Sequence, residues 1–346
     1  MKVILHIGLH KTASTFLQNN VFSNLDSKKV IYNPEDVFYF VNAIFTLGIR
    51  RREYISKAIK VVKRYSDNDD GKVLLISSEV LSEASFLQNY YEHILLMKEI
   101  FPSAEIVLFL RNQIDWIKSY YRQSVKVGFY QDLDEFLNYS HGEFESNTNR
   151  INLSCNMNLN VFDAHWGELV SAINSNFKRE HIFFFENFKK DGNLEVEKLL
   201  KIFDIYDCTF STLRISNKGL SGSGIKRLVR WKKAQQFFFG KQTSYAGRVY
   251  KERNEILEHD FFWKPIKPSV SVRLIRFLVK EPMRFIKRFY ISSIIVFFDK
   301  FHKGSNKLYK EEILKELEDL YTEYNRSLVD YVDIKNIPKG YIKPNE

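Results

Sequence analysis

Val3-Ile4-Leu5-His6-Ile7-Gly8-Leu9-His10-Lys11-Thr12-Ala13-Ser14-Thr15-Phe16-Leu17 opens with an apolar run, passes through a polar turn and returns to helix-compatible residues. Residues 3–8, mostly β-branched or apolar and closed by glycine, predict a buried strand. The residues after Lys11 predict a helix with Phe16 and Leu17 on its apolar side. A strand, a polar turn and a helix form the layout in which backbone N–H groups at a helix start face an anion. Gly8 permits close backbone approach, Lys11 brings a point charge, and Thr12, Ser14 and Thr15 bring hydroxyls around Ala13.

Three further apolar runs fit the same scheme: Lys72-Val73-Leu74-Leu75-Ile76-Ser77-Ser78, Glu105-Ile106-Val107-Leu108-Phe109-Leu110 and His181-Ile182-Phe183-Phe184-Phe185. Short, nearly continuous apolar strands separated by helical patterns predict a parallel sheet covered on both faces. The fold class expected is α/β: a P-loop-like parallel sheet flanked by helices, with a basic, mainly helical C-terminal elaboration. Each strand runs into polar or charged residues at its C-terminal end, the edge where open parallel sheets bind ligands. Lys11, Glu79 and Arg111 are therefore expected to converge there.

The second motif is Leu110-Arg111-Asn112-Gln113-Ile114-Asp115-Trp116-Ile117-Lys118-Ser119-Tyr120-Tyr121. Arg111 leaves the sheet at a strand end, and Ser119 follows about two helical turns later on the face it shares with Asp115. An arginine and a hydroxyl so placed suit a phosphate. The first loop is not the nucleotide-triphosphatase pattern G-x-x-x-x-G-K-[ST]. Lys11-Thr12 is present, but His10 stands where the second glycine belongs and Gly8 is too close.

Residues 10–17 resemble instead the 5′-phosphosulfate loop of the sulfotransferases that use 3′-phosphoadenosine 5′-phosphosulfate (PAPS), in the bacterial form G-x-x-K-T-[AG]-[ST]-[ST]. Residues 110–121 resemble that family's 3′-phosphate motif, R-N-P-x-[DE]-R-x-x-S-x-Y. Gln113 replaces the usual proline and Trp116 the common basic residue, so position 116 offers no second cationic contact. Gly128, Leu133-Asp134-Glu135-Phe136-Leu137, His165-Trp166 and Phe185-Glu186-Asn187-Phe188 follow the bacterial branch in order, so the resemblance covers about residues 1–220. It implies that Gly8, Lys11, Thr12, Ala13, Ser14 and Thr15 hold the 5′-phosphosulfate and that Arg111 and Ser119 hold the 3′-phosphate. Lys218-Gly219 stands where a late loop of the family closes over that phosphate. It implies PAPS as co-substrate and no metal.

Sulfuryl transfer needs charge stabilised on the leaving phosphate and a proton taken from the acceptor. Lys11 is the candidate for the first task. Glu79, in a Ser-Ser-Glu segment like that of bacterial relatives, is the first candidate base, provided that partial burial raises its pKa. The alternative for Glu79 is a helix-start carboxylate; His10 is the second candidate base. His141 and His165 read as structural or surface histidines.

The whole chain has 346 residues, 45% hydrophobic, with 30 Phe and 19 Tyr, which excludes general disorder. Its two cysteines, Cys155 and Cys208, exclude a disulfide framework and fit a reducing compartment. The opening carries no signal-peptide pattern. The net charge of +10 is concentrated in residues 218–310, which hold 22 Lys+Arg against 6 Asp+Glu interleaved with Phe, Tyr and Trp. Its most apolar stretch, residues 289–298, is shorter than the roughly 20 residues a membrane-crossing helix needs.

Two regions follow: a PAPS-binding core over 1–220 and a basic aromatic extension over 221–346, either an acceptor cap or a membrane-surface element. A last amphipathic helix, about 308–328, is expected to pack back on the body. The function expected is sulfuryl transfer from PAPS to a hydroxyl or amine of a carbohydrate or glycolipid, in the cytoplasm or on the inner membrane face. An anionic membrane surface is a second partner; nucleic acid is not expected. The alternatives are a P-loop kinase using ATP, and a non-enzymatic protein binding membranes or anionic glycans on this scaffold.

Overall fold

The computed structural model describes residues 1–68, 71–82, 90–127, 131–146, 150–151, 157–205, 221–239 and 308–342. Five parallel strands form the central sheet: β1 (Lys2–His6), β2 (Val30–Tyr32), β3 (Val73–Ser77), β4 (Glu105–Leu110) and, after two short antiparallel hairpins, Glu180–Phe184. The hairpin strands are β5 (Tyr139–Ser140) with β6 (Glu143–Phe144) and β7 (Arg150–Ile151) with β8 (Met157–Asn158), which makes the last sheet strand β9. The spatial order is β2-β3-β1-β4-β9, with β1 in the centre.

All four strands expected from apolar runs are present. Alternate residues feed different faces: Val3, Leu5, Leu74, Ile76, Ile106 and Leu108 enter one core, while Ile4, Val73, Leu75, Val107 and Phe109 enter the other. With both faces covered, consecutive positions must be apolar, which is why these strands read as runs rather than alternations. The helices that cover the sheet are α1 (Ser14–Phe16), α2 (Glu35–Val41), α3 (Arg52–Asp67), α4 (Tyr90–Ile100), α5 (Gln113–Val127), α6 (Leu133–Phe136), α7 (Trp166–Asn176), α8 (Phe185–Lys190), α9 (Gly192–Ile202), α10 (Gly222–Phe239) and α11 (Glu311–Tyr324). None of the described helices is long and apolar enough to cross a membrane.

α11 lies within the amphipathic stretch expected at 308–328 and packs against α5 and α7. Ile313, Leu317 and Tyr321, at i, i+4 and i+8, are its buried stripe. The segment after it passes directly over Gly167: a Cβ there would stand 2.0 Å from Ser327 Oγ and 2.8 Å from the Tyr324 carbonyl oxygen. Ile225, Leu228 and Val229 of α10 share the main core with Val3 and Leu5. Lys233 pairs with Asp132 at 2.8 Å and Lys310 with Asp134 at 2.6 Å, so both flanks of the basic segment reach the acidic turn that opens α6. Most of that segment, with residues 289–298, Cys155, Cys208 and Gly128, lies outside the described residues.

The two remaining histidine expectations hold. His165 caps α7, its Nδ1 accepting from Glu168 N–H at 3.1 Å while its ring stacks on Tyr324 at 4.0 Å. His141 is an exposed residue with φ +53° in the turn between β5 and β6.

Two other histidines are buried and tie stability to pH. His6 is held at Nδ1 by Ser77 Oγ at 2.7 Å, and its Nε2 has no hydrogen-bond partner. His93 faces the Val80 carbonyl at 3.0 Å through Nδ1 and the Arg50 guanidinium at 3.1 Å through Nε2. Arg50 only donates, so His93 is neutral with its proton on Nδ1. Burial lowers the pKa of both to about 4. An unfolded histidine takes up its proton near 6.5. Between those values the unfolded chain binds more protons, so stability is lost as pH falls from about 6.5 to about 4. The expected loss is roughly 3 kcal/mol for each histidine, read as a falling urea midpoint over that window. A flat midpoint there would contradict the burial argument.

Candidate active site

The loop after β1 is carried to the C-terminal sheet edge by continued ladder bonds, Ile7 N–H to the Val107 carbonyl and Leu9 N–H to the Phe109 carbonyl, both 3.0 Å. It then turns through three left-handed residues: Gly8 (φ +102°), Lys11 (φ +66°) and Ala13 (φ +72°). The first helical bonds are those of Phe16 and Leu17 N–H to the Ala13 carbonyl, at 2.9 and 3.0 Å. The amides before them are the ones a helix start leaves for other acceptors.

The loop hydroxyls are arranged differently from expectation. Thr12 and Ser14 are buried and donate inward to the Leu9 carbonyl, at 2.6 and 3.1 Å. Each hydroxyl has one proton to give. As placed, these two fix the turn, and Thr15 alone is exposed. Gly8 does serve close approach, but to protein: an added Cβ would lie 3.3 Å from Glu79 Cα.

That contact brings Glu79 to the loop. Glu79 opens the turn Glu79–Ser82 at the end of β3, and its carboxylate Oε2 pairs with His10 Nδ1. The two candidate bases, 69 positions apart, are thus one dyad, both about a quarter exposed or less (25% and 21%). Burial pushes the Glu79 carboxyl up, but the His10 hydrogen bond and charge outweigh it and hold it below the usual carboxylate range. The expected rise toward neutrality is therefore corrected. Partial burial is real, and nearby donors overcome it.

Arg111, at the end of β4, reaches back to the same loop and donates from Nη1 to the Lys11 carbonyl at 2.9 Å. Its guanidinium lies 4.6 Å from the centre of the Phe185 ring, and its buried Nε has no hydrogen-bond partner. Burial lowers its pKa, against the charges of Asp115 and Glu186, and Arg122 adds to the lowering. Trp116, noted in the sequence as a lost basic position, is fully buried and donates from Nε1 to the His10 carbonyl at 2.9 Å. Arg111 and Trp116 thus each hold one carbonyl of the first loop. Gln113 is likewise buried, in an amide pair with Asn325.

Ser119 is half-buried on α5, on the face it shares with Asp115 and Arg122. Arg122 escaped sequence reasoning because it lies beyond the motif; its i+3 spacing from Ser119 is the only signal. Lys218 and Gly219 lie outside the described residues. Glu186 accepts from Asn112 N–H at 3.0 Å, immediately after β9 and beside Arg111. Its position just past a strand end is the same signal that marked Glu79 and Arg111.

No protein-family model matches the chain, and none of the curated proteins matches it. Among solved structures, the crystal structure of a sulfotransferase from Alicyclobacillus acidocaldarius is similar, at 15% identity and a TM-score of 0.40, over 72% of this chain and 99% of that one. It is a remote likeness of backbone course, and no site residue or substrate comes to this chain through it.

Proposed function

We propose that the chain transfers a sulfuryl group from PAPS to a hydroxyl or amine of a carbohydrate or glycolipid. The observation that carries this reading is the bond from Arg111 to the backbone of Lys11, which joins the two motifs, 100 positions apart, at one sheet edge. The residues fit the donor: a turn of left-handed residues ahead of a helix start, and a half-buried arginine whose buried Nε is unused. Bound PAPS supplies a sulfuryl group on a phosphate leaving group.

The loop amides of residues 11–15 hold the 5′ end, with the Lys11 amine opposing charge on the leaving phosphate. Arg111 and Ser119 hold the 3′-phosphate, and Lys218 and Gly219 are assigned to the same end. Glu79 fixes the His10 ring through Nδ1, so the proton leaving the acceptor goes to Nε2. The charged Glu79 carboxylate is then the positioning partner of His10. The basic segment, whose first helix exposes Lys226, Arg230 and Trp231, is assigned to the acceptor or, as the alternative, to an anionic membrane surface.

Calorimetric titration with adenosine 3′,5′-bisphosphate in a chelator tests the donor site. Metal-independent binding is expected; binding of ATP with magnesium in its place would favour a kinase. His10→Gln is expected to lower turnover with a pooled glycan acceptor about 10³-fold, and Glu79→Gln about 10–100-fold, both with bisphosphate affinity kept. If Glu79→Gln retains full turnover, Glu79 has no catalytic part and His10 acts without it.

A further inference from the structure

Residues 325–342 are packed against the second motif by bonds spanning more than 150 positions. Asn325 and Gln113 form a reciprocal amide pair at 2.7 and 3.1 Å, and the second Asn325 N–H donates to the Tyr341 carbonyl at 3.1 Å. Asn112 Nδ2 donates to the Gly340 carbonyl, also at 3.1 Å. This places Tyr341, fully buried and edge-on to Phe184 at 5.1 Å, beside the arginine site.

The Tyr341 hydroxyl donates to Glu186 Oε2 at 2.9 Å, while Oε1 accepts from Asn112 N–H at 3.0 Å. Both carboxylate oxygens are therefore held. Glu186 adjoins Phe185, the ring under the Arg111 guanidinium, and its charge is felt at Arg111. A carboxylate released here has a half-buried cation next to it, and an ion pair between them would compete with any anion for that cation.

We infer that the Tyr341 hydroxyl holds the Glu186 carboxylate off the Arg111 guanidinium, so that the C-terminal tail sets how well Arg111 accepts an anionic ligand. The ligand named here rests on the PAPS reading; the restraint on Glu186 does not. Tyr341 is a positioning residue that acts through Glu186.

Tyr341→Phe keeps the ring, removes the hydroxyl that holds Oε2 and leaves only the Asn112 N–H bond to Oε1, and is expected to weaken adenosine 3′,5′-bisphosphate about tenfold. Tyr341→Phe with Glu186→Gln removes the competing charge, and the one amide oxygen still serves Asn112 N–H. It is expected to return affinity to within about threefold of wild type, a rescue that a purely structural tail would not give. Glu186→Gln alone is expected to bind at least as tightly as wild type, and it decides the matter should Tyr341→Phe not fold. Wild-type affinity in Tyr341→Phe, a double variant no better than the single, or a tenfold loss in Glu186→Gln would each overturn the inference.

Should wild type bind no bisphosphate, the nucleotide reading fails by itself. Inorganic pyrophosphate is then titrated into the same four proteins. The same order of affinities supports the restraint, and equal affinities or no binding overturn it.

Discussion

Lys11→Ala is expected to abolish sulfuryl transfer, lowering it about 10³-fold or more while the protein stays folded. The size follows from where charge develops. Breaking the bond to the leaving phosphate adds negative charge to an oxygen that only a preorganised cation can meet without reorganising water. The variant removes the side chain beyond Cβ and leaves the backbone of the loop in place. Lys11 sits at φ +66°, and Ala13, two residues on, shows that alanine adopts the same left-handed backbone in this loop. The carbonyl that Arg111 binds is kept. Release of adenosine 3′,5′-bisphosphate from PAPS with pooled glycan acceptors measures the loss, and a thermal midpoint close to wild type shows that the loop is intact. Transfer within tenfold of wild type would remove Lys11 from the leaving-group role.

Arg111→Ala is expected to weaken adenosine 3′,5′-bisphosphate about 100-fold, which is on the order of 3 kcal/mol. Three things go together: a half-buried cation, its bond to the Lys11 carbonyl and its contact with Phe185. Loss of the bond leaves a loop carbonyl without its donor, so stability is expected to drop as well, by about 1–2 kcal/mol. Arg111→Lys restores a charge but not the planar fork that serves a carbonyl and a phosphate at once, so only part of the affinity is expected back. Calorimetry and thermal melting separate the two losses. Bisphosphate binding within threefold of wild type in Arg111→Ala would place the 3′-phosphate elsewhere.

Much of this arrangement is legible in local sequence. A strand buried on both faces has to be apolar at consecutive positions, so β1, β3, β4 and β9 announce themselves. β2 does not: three residues between Lys28-Lys29 and Asn33-Pro34 are too few to carry a period. Polar residues just past strand ends marked Lys11, Glu79 and Arg111 as neighbours, because parallel strands all end at one edge. The partnership of His10 with Glu79 was not legible, and neither was the inward turn of Thr12 and Ser14. Both depend on side-chain direction within a loop, which residue type alone does not set.

The chain by itself determined the α/β class, the parallel sheet and the convergence of two motifs on one edge. These follow from burial and from the rule that strands in such a sheet point the same way. Only the tertiary structure decided that Trp116 holds the His10 carbonyl, that Gln113 pairs with Asn325 and that Tyr341 stands on Glu186. Hydrogen bonds between residues 106 to 212 positions apart are made by groups whose propensity and periodicity say nothing of each other. They exist because packing brings two polar atoms out of water together, where leaving either one unpaired would cost about 1–3 kcal/mol.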